Sequence, residues 1–392
     1  MQVAQIYQLM NTVTKEVIGD QAVIQEDLSN VVDIGKAVFD ATSVDSYVKS
    51  LVNHIGKVIF VNRAYRGGAP SVLMDGWEFG SVLEKIHAVM PDATENESWQ
   101  LTDRVSYDQD VFYKPTVVAK FYNEKVTFQI PLSFTEMQVK QSFSSAEQLN
   151  GFISMLYNEV EKALTVKIDS LIMRTINTAI GETIADDYTP ATTNVYLTTD
   201  ITGHTGVKAV NLLFEYNQQF SQNLAVDKAL TTPDFIRFAV LRMGLYKDRL
   251  SKISELFNVG GLPRFTPEDT LHTVMLSEFE KAASVYLYSD TYHDALVRLP
   301  NTEVVSFWQG SGTDYSFANT SKIDIETPNN HTVTVSGVLG VMFDRDALGV
   351  CNLDRRVTTH YNARAEFYTN WYKFDSSYFL DLNENIVVFL IA

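Results

Sequence analysis

The seven histidines are the side chains best suited to acid–base or metal chemistry near neutral pH. None shows the HExxH or HxH spacing that presents two zinc ligands on one element. Tyr292-His293-Asp294 has the composition of an acid–base pair, but adjacent side chains usually point apart. We therefore expect neither a catalytic histidine nor a metal site. The seven are His54, His87, His204, His272, His293, His331 and His360.

Two other patterns suggest ion or phosphate chemistry, and their spacing does not support it. Asp344 and Asp346 flank Arg345 and could bind a cation, although a salt-bridged turn explains them better. Gly67-Gly68 is not followed by GxxxxGK[ST], so it predicts only a turn. No serine lies in a GxSxG motif. The sequence therefore predicts no catalytic residue and no cofactor.

Composition restricts the partners of the chain. Its 392 residues carry a formal net charge of −17 without a run of Lys and Arg, which argues against tight nucleic-acid binding. The charge is compatible with one other class of protein, a container whose inner face repels polyanions. The single Cys351 excludes an intrachain disulfide and is expected to be a structural thiol. We expect no signal peptide and no membrane span. The 19 Tyr and 23 Phe fit either large contact surfaces or an ordinary core.

The longest predicted element is a helix from Ser144 to Gly181. Apolar residues recur there at three- and four-residue steps, Ser144 and Glu147 have capping-box spacing, and Gly181 offers a C-terminal stop. Such a helix is roughly 45–55 Å long, so it needs a sheet or several elements laid along it. Charged residues are expected mostly on its other side: Glu159, Glu161, Lys162, Lys167 and Asp169.

Two β-rich segments between Asp108 and Phe134 flank Asn123-Glu124, which predicts a β-hairpin. A lone two-stranded ribbon is marginally stable in water. A projecting ribbon would therefore need support from outside its own fold, most simply from another copy of the chain.

The remaining segments predict an α/β layer followed by a β-rich end. The closing run, Ile386–Ala392, is apolar enough to require a central position in a sheet. Helices are predicted over Gly206–Phe220, Asp234–Leu250 and Glu278–Tyr286, and strands over Val58–Val61, His272–Leu276 and several stretches after Thr332.

This order of elements resembles a tailed-phage major capsid protein with the Hong-Kong-97-type fold, over essentially the whole chain. The most specific segments are SYVKSLVNHIGKVIF, then GFISMLYNEVEKALTVKIDSLIMRTI, and finally DRDALGVCNLDRRVTTHYNARAEFYTNWYKF with NENIVVFLIA. The resemblance is greatest to capsid proteins of small tailed phages of Gram-positive hosts. It implies an α+β chain that builds the icosahedral or prolate shell around packaged double-stranded DNA.

The resemblance also implies a division of the chain. Residues 1–70 would form an N-terminal arm, 71–143 an extended β-hairpin loop, and 144–200 a peripheral domain with a long spine helix. Residues 201–340 would form an α/β axial domain, and 341–392 would return to the peripheral sheet.

The implied partners are copies of the chain itself in pentamers and hexamers, a portal, and in some members a decoration protein. Because the arm begins almost at Met1, we expect a separate scaffolding protein. DNA would be enclosed without sequence-specific binding, without a membrane, in a virion assembled in the host cytoplasm. Tryptophans can serve either inter-subunit contact or core packing, and contact is the better explanation for Trp77 and Trp99, because a thin projection has little core to hide them. We predict inter-subunit contacts in this region at Trp77, Trp99, Tyr113, Lys120, Phe121 and Tyr122.

Two other classes of function stay open at this stage. An α/β-type enzyme such as a hydrolase would need convergent polar residues in a pocket, and the sequence shows none at recognisable spacing. Another phage structural part would differ in composition, because a tail tube is shorter and more purely β and a portal is longer and more helical.

Overall fold

The computed structural model describes residues 71–74, 83–88, most positions between 90 and 116, residues 117–135, 146–288, 299, 301–308 and 322–392. The predicted arm and the strand predicted at Val58–Val61 lie outside these residues. The first half of the described chain contains β1 Leu73–Met74, β2 Leu83–Ala88, β3 Val117–Tyr122, β4 Lys125–Thr135, α1 Ala146–Asp187, β5 Val195–Leu197, α2 Thr198–Ile201, β6 Ala209–Asn211, α3 Leu212–Phe220, α4 Val226–Ala229 and α5 Pro233–Leu250. The second half contains β7 Leu271–Leu276, α6 Ser277–Tyr288, β8 Thr302–Val305, β9 Lys322–Glu326, β10 Thr332–Ser336, β11 Val338–Asp344, β12 Leu348–Asn362, β13 Phe367–Leu380 and β14 Ile386–Leu390.

Helix α1 is the predicted long helix, and it is longer than expected. It spans 42 residues, which is about 63 Å, and it continues past both Asn150-Gly151 and Gly181. The predicted stop at Gly181 is therefore wrong. A Cβ at this position would lie 3.2 Å from side-chain carbons of Ile325 and Thr327, so the glycine permits close packing against strand β9 and the turn after it.

The burial of α1 is given from Val160 onward, and the predicted single apolar stripe holds only for its first part, residues 160–167. Lys162, Val166 and Lys167 are exposed there. From Ile168 to Ala185 almost every residue is buried, with Arg174 the exposed exception. A helix that is buried on all sides must be surrounded by other elements, and α1 contacts β4, β6, β9, β12, β13 and β14.

A five-stranded sheet, in the order β6-β14-β11-β7-β8, lies between two layers of apolar packing. Strand β14 shows this best, because all five of its residues are buried. Ile386, Val388 and Leu390 pack into the core around α1, whereas Val387 and Phe389 pack into the core of α3, α5 and α6. The predicted central position of the C-terminal strand is thus confirmed.

A four-stranded sheet, β1-β12-β13-β4, covers another side of α1. Its long strands β12 and β13 pair antiparallel over most of their length, with an irregularity between Asn352 and Arg355. On the inner face, Tyr368 and Tyr372 are buried in the core around α1. A smaller sheet, β5-β10-β9, packs on the same core.

The predicted hairpin around Asn123-Glu124 is wrong in its pairing, although both strands exist. Strand β4 pairs with β13, and strand β3 pairs with β2. The alternating apolar residues of β4 explain this, because Val126, Phe128 and Ile130 pack against the core around α1. Strand β4 therefore belongs to the body, and the two-stranded ribbon is formed by β2 and β3.

The α/β alternation after residue 200 is largely confirmed. Helices α5 and α6 and strand β7 lie within a residue or two of their predicted limits. The helix predicted over Gly206–Phe220 is shorter, because β6 occupies Ala209–Asn211 and only α3 is helical. Asp344 to Leu348 form the predicted turn between β11 and β12, and Cys351 is buried in β12 as expected of a structural thiol.

Candidate functional site

The β2–β3 ribbon has one face that the rest of the described chain does not cover. The antiparallel register opposes Ile86 with Ala119, Glu84 with Phe121, and Ala88 with Val117. On this outer face Ile86, Val117 and Phe121 have exposed fractions of 63%, 58% and 62%. Apolar side chains this exposed and this close together indicate a contact surface.

The inner face of the ribbon attaches to the body through charged groups. Lys85 Nζ lies 2.8 Å from Asp381 Oδ2 and 2.9 Å from Glu384 Oε1, and it donates to the Asp346 carbonyl oxygen at 2.9 Å. Lys120 Nζ lies 3.4 Å from the other Asp381 oxygen. We call Lys85, Lys120, Asp381 and Glu384 the anchor cluster.

An aromatic contact lies beside the anchor cluster. Tyr122 is buried, and its ring lies 5.5 Å from that of Phe379 on β13. Lys120 Nζ lies 5.1 Å from the centre of the Tyr122 ring. Burial, reinforced by the Asp381 carboxylate, raises the pKa of Tyr122 far above its usual range. Tyr122 therefore stays neutral and holds the end of β3 on the body.

Asp381 is the most deeply buried charge of the anchor cluster, with 1% of its side chain exposed. Burial alone would raise its pKa, but the Lys85 ammonium, Tyr122 and the Asn383 backbone N–H lower the pKa of Asp381 to about 2. Burial likewise opposes the charge of Lys85, whose pKa is nevertheless raised by Asp381 and Glu384. Lys85 and Asp381 are therefore both charged at neutral pH.

The six predicted contact residues fall into three groups. Trp77, Trp99 and Tyr113 lie outside the described residues. Phe121 is exposed on the outer face. Lys120 and Tyr122 face the body of their own chain, so any role between subunits stays a prediction.

Sequence reasoning missed Ile86, Val117, Lys85 and Asp381. The alternation in LEKIHA (residues 83–88) was the available signal, since it puts Lys85 and Ile86 on opposite faces of a strand. The signal went unused because β2 was not identified as the partner of β3.

Elsewhere in the described part of the chain, polar side chains form turns and link elements. No group of three or more His, Cys, Asp or Glu there could hold a metal ion. The Asp344 carboxylate accepts from the Asp346 backbone N–H at 2.9 Å, as in a hydrogen-bonded turn. His331 Nδ1 lies 3.3 Å from Glu182 Oε2, which joins the β9–β10 turn to α1. Among the same residues, no helix combines the length and apolarity needed to cross a membrane.

A family model described as Phi29-like phage major capsid protein matches residues 10–390. The chain belongs to this family. Membership confirms the resemblance to a phage major capsid protein identified in the sequence, and the described helices and strands are consistent with the expected α+β, Hong-Kong-97-type fold. The chain is therefore a shell-forming capsid protein of a phage virion, and not a tail or portal component.

Solved structures similar to the chain include other phage capsids. The capsid structure of Staphylococcus phage Andhra is 10% identical, with 85% of this chain and 87% of that chain covered and a TM-score of 0.43. The capsid structure of cyanophage P-SCSP1u is 9% identical, with 85% of this chain and 90% of that chain covered and a TM-score of 0.42. A chain in the structure of the head fiber and inner core protein gp22 of bacteriophage P68 is 8% identical, with 84% of this chain and 87% of that chain covered and a TM-score of 0.47. No curated protein sequence matches the chain.

Proposed function

We propose that this capsid protein joins its neighbours through the outer face of the β2–β3 ribbon, which lies on a second copy of the chain. The proposal rests on one observation: Ile86, Val117 and Phe121 are exposed together on an element that is too thin to have a core. Burying three such side chains would stabilise each contact by several kcal/mol at most. A closed shell repeats the contact many times, so a modest contact is sufficient.

We further propose the division into arm, extended loop, peripheral domain and axial domain, with one refinement. Strands β12 and β13 share a sheet with β4 beside α1, which supports a peripheral role for them. Strands β11 and β14 share a sheet with β6, β7 and β8, which supports their inclusion in the axial domain. The segment 341–392 would then contribute to both domains.

The remaining partners are part of the same proposal. Pentamers and hexamers of the chain, with a separate scaffolding protein and a portal, would assemble in the host cytoplasm, and a decoration protein could bind the finished shell. The chain would act as a building block without catalytic chemistry. Its net charge of −17 supports enclosure of DNA without sequence-specific binding.

The test is assembly of a ribbon variant. The chain carrying both Ile86→Ser and Phe121→Ser, produced with the products of its neighbouring genes, should yield soluble subunits and few or no shells. Val118→Ser is the matched control, because Val118 lies on β3 but on the opposite face and is 42% exposed. Electron microscopy and sedimentation measure the yield. Normal shells from the double variant, or equal loss in the control, would refute the proposed face.

A further inference from the structure

The ribbon contains an arrangement that is unfavourable by itself. Lys85 and Lys120 are directly opposite each other in the β2–β3 register. Like charges at opposed positions destabilise a strand pair. Both ammonium groups instead converge on the two oxygens of a single carboxylate, that of Asp381. The sequence therefore makes the ribbon depend on a charge that the body supplies.

We propose that Asp381 is the positioning residue of the ribbon: its buried charge neutralises the facing lysines and fixes the ribbon on the body, so that the outer face points toward a neighbouring subunit. The orientation toward a neighbour rests on the proposed function, whereas the fixing of the ribbon does not.

The burial along the ribbon supports this role for charge. Among the described residues of the ribbon, the buried apolar side chain that contacts the body lies at one end of β3, at Tyr122. Toward the other end of the pair, Ala88, Val117, Val118 and Ala119 are exposed. Few apolar contacts therefore hold the ribbon, and the short ion pairs of Lys85 are its best-buried polar attachment.

The body side of the cluster is held firmly, as a positioning group requires. The backbone N–H of Asp381 donates to the Ala347 carbonyl oxygen at 2.6 Å, and the Asn383 N–H donates to Asp381 Oδ1 at 3.2 Å. Arg264 Nε lies 3.6 Å from Glu384 Oε2. The carboxylates thus sit on a turn tied to the β11–β12 turn and to the segment after α5.

Removal of the Asp381 charge tests the inference in the soluble, unassembled chain. In Asp381→Asn, two facing lysines lose their shared partner, and hydrogen exchange at residues 83–88 and 117–122 should accelerate about tenfold or more. Exchange in β12 and β14 should stay unchanged. Asp381→Glu keeps the charge and should retain most of the protection.

Two further variants complete the design. Asp375→Asn is the matched control, because Asp375 lies on β13, which ends directly before Asp381, and it too pairs with a cation, Arg356, but away from the ribbon. Lys85→Met removes the other partner without touching the body, and it should also release the ribbon if Asp381→Asn fails to fold. Unchanged ribbon exchange in both anchor variants, or equal acceleration throughout the sheet, would overturn the inference.

The two proposals fail in different ways. If Asp381→Asn loses ribbon protection and the Ile86 and Phe121 variant still forms normal shells, the proposed role of Asp381 is supported and the proposed contact face is refuted. If Asp381→Asn keeps normal ribbon protection and the Ile86 and Phe121 variant forms no shells, the proposed contact face is supported and the proposed role of Asp381 is refuted.

Discussion

At the residue scale, Asp381 shows why a buried charge can be specific without being strongly stabilising. Removing a carboxylate from water costs several kcal/mol, and its ion pairs recover this only with good geometry. Both carboxylate oxygens of Asp381 are used here, on two strands that do not belong to the body. Apolar residues in these positions could hold the ribbon as tightly, but they would define its register and angle less well.

Acid should therefore release the ribbon before the body unfolds. The pKa of the Asp381 carboxyl is lower in the folded chain, at about 2, than its ordinary 3.8, so its contribution of about 2 kcal/mol is present above pH 4 and lost as the pH falls toward 2. Residue-resolved hydrogen exchange should show protection at 83–88 and 117–122 falling through this window, once corrected for intrinsic rates.

Other charged groups face Asp381 and do not reverse this sign. Lys85 stays protonated throughout the window because Asp381 and Glu384 raise its pKa, and Tyr122 stays neutral because burial raises its pKa. A ribbon whose protection persists at pH 2 while β12 loses its own would contradict the prediction.

At the element scale, α1 explains how three sheets share one core. Its buried part, from Ile168 onward, lies among strands of all three, and its C-terminus is joined to β6 by side chains. Asp187 Oδ2 accepts from the backbone N–H groups of Lys208 and Ala209 at 2.5 and 2.7 Å, and Lys208 Nζ pairs with Asp186 and Asp187. Lys208 thereby offsets two acidic residues at the negative end of the helix dipole.

Truncation of a buried residue in α1 should destabilise the whole chain. Ile176 is fully buried, so Ile176→Ala should lower the free energy of unfolding by about 2–5 kcal/mol through lost burial and a cavity. Val166→Ala, on the same helix but 41% exposed, should change it by less than about 0.5 kcal/mol. Denaturant titration of the unassembled chain measures both. If both substitutions change the free energy of unfolding by similarly small amounts, α1 does not lie at the centre of a core shared by the three sheets.

The elements themselves were predictable where local pattern decided them, and their partners were not. The periodicity of α1 and the apolar run of β14 each gave the correct element, because burial on one or two faces leaves a local trace. The end of α1 was mispredicted because Gly181 serves a contact with Ile325, which is distant in sequence. The hairpin was mispredicted because the partner of β3 lies 29 positions or more upstream, beyond a long connection.

The candidate site followed the same division. Phe121 was predicted as a contact residue because it lies in a β-rich projection; the structure shows that its side chain is exposed, and its contact with another subunit stays a prediction. Lys120 and Tyr122 are the direct neighbours of Phe121 and were predicted because they lie in the same projection. In the structure both face Asp381, which is 259 positions from Tyr122. No local signal in the sequence joins these positions, so only the fold could assemble the anchor cluster.

At the scale of the whole molecule, charge and apolar surface act in opposite directions on assembly. Each copy carries a formal net charge of −17, so copies repel one another at low ionic strength. The proposed ribbon contact is apolar and is not weakened by salt, while the anchor cluster is shielded by burial. Salt therefore acts mainly on the repulsion between copies.

Raising the salt concentration from about 0.1 M to about 1 M, which shortens the Debye length from about 10 Å to about 3 Å, should accordingly promote assembly and lower the subunit concentration at which shells appear. Light scattering followed by sedimentation would measure this concentration. The chain carrying Ile86→Ser and Phe121→Ser is the control, because relief of repulsion cannot assemble subunits that lack the attractive contact. If salt instead dissociates wild-type shells, ion pairs between copies hold the lattice, and the apolar ribbon face is not its principal contact.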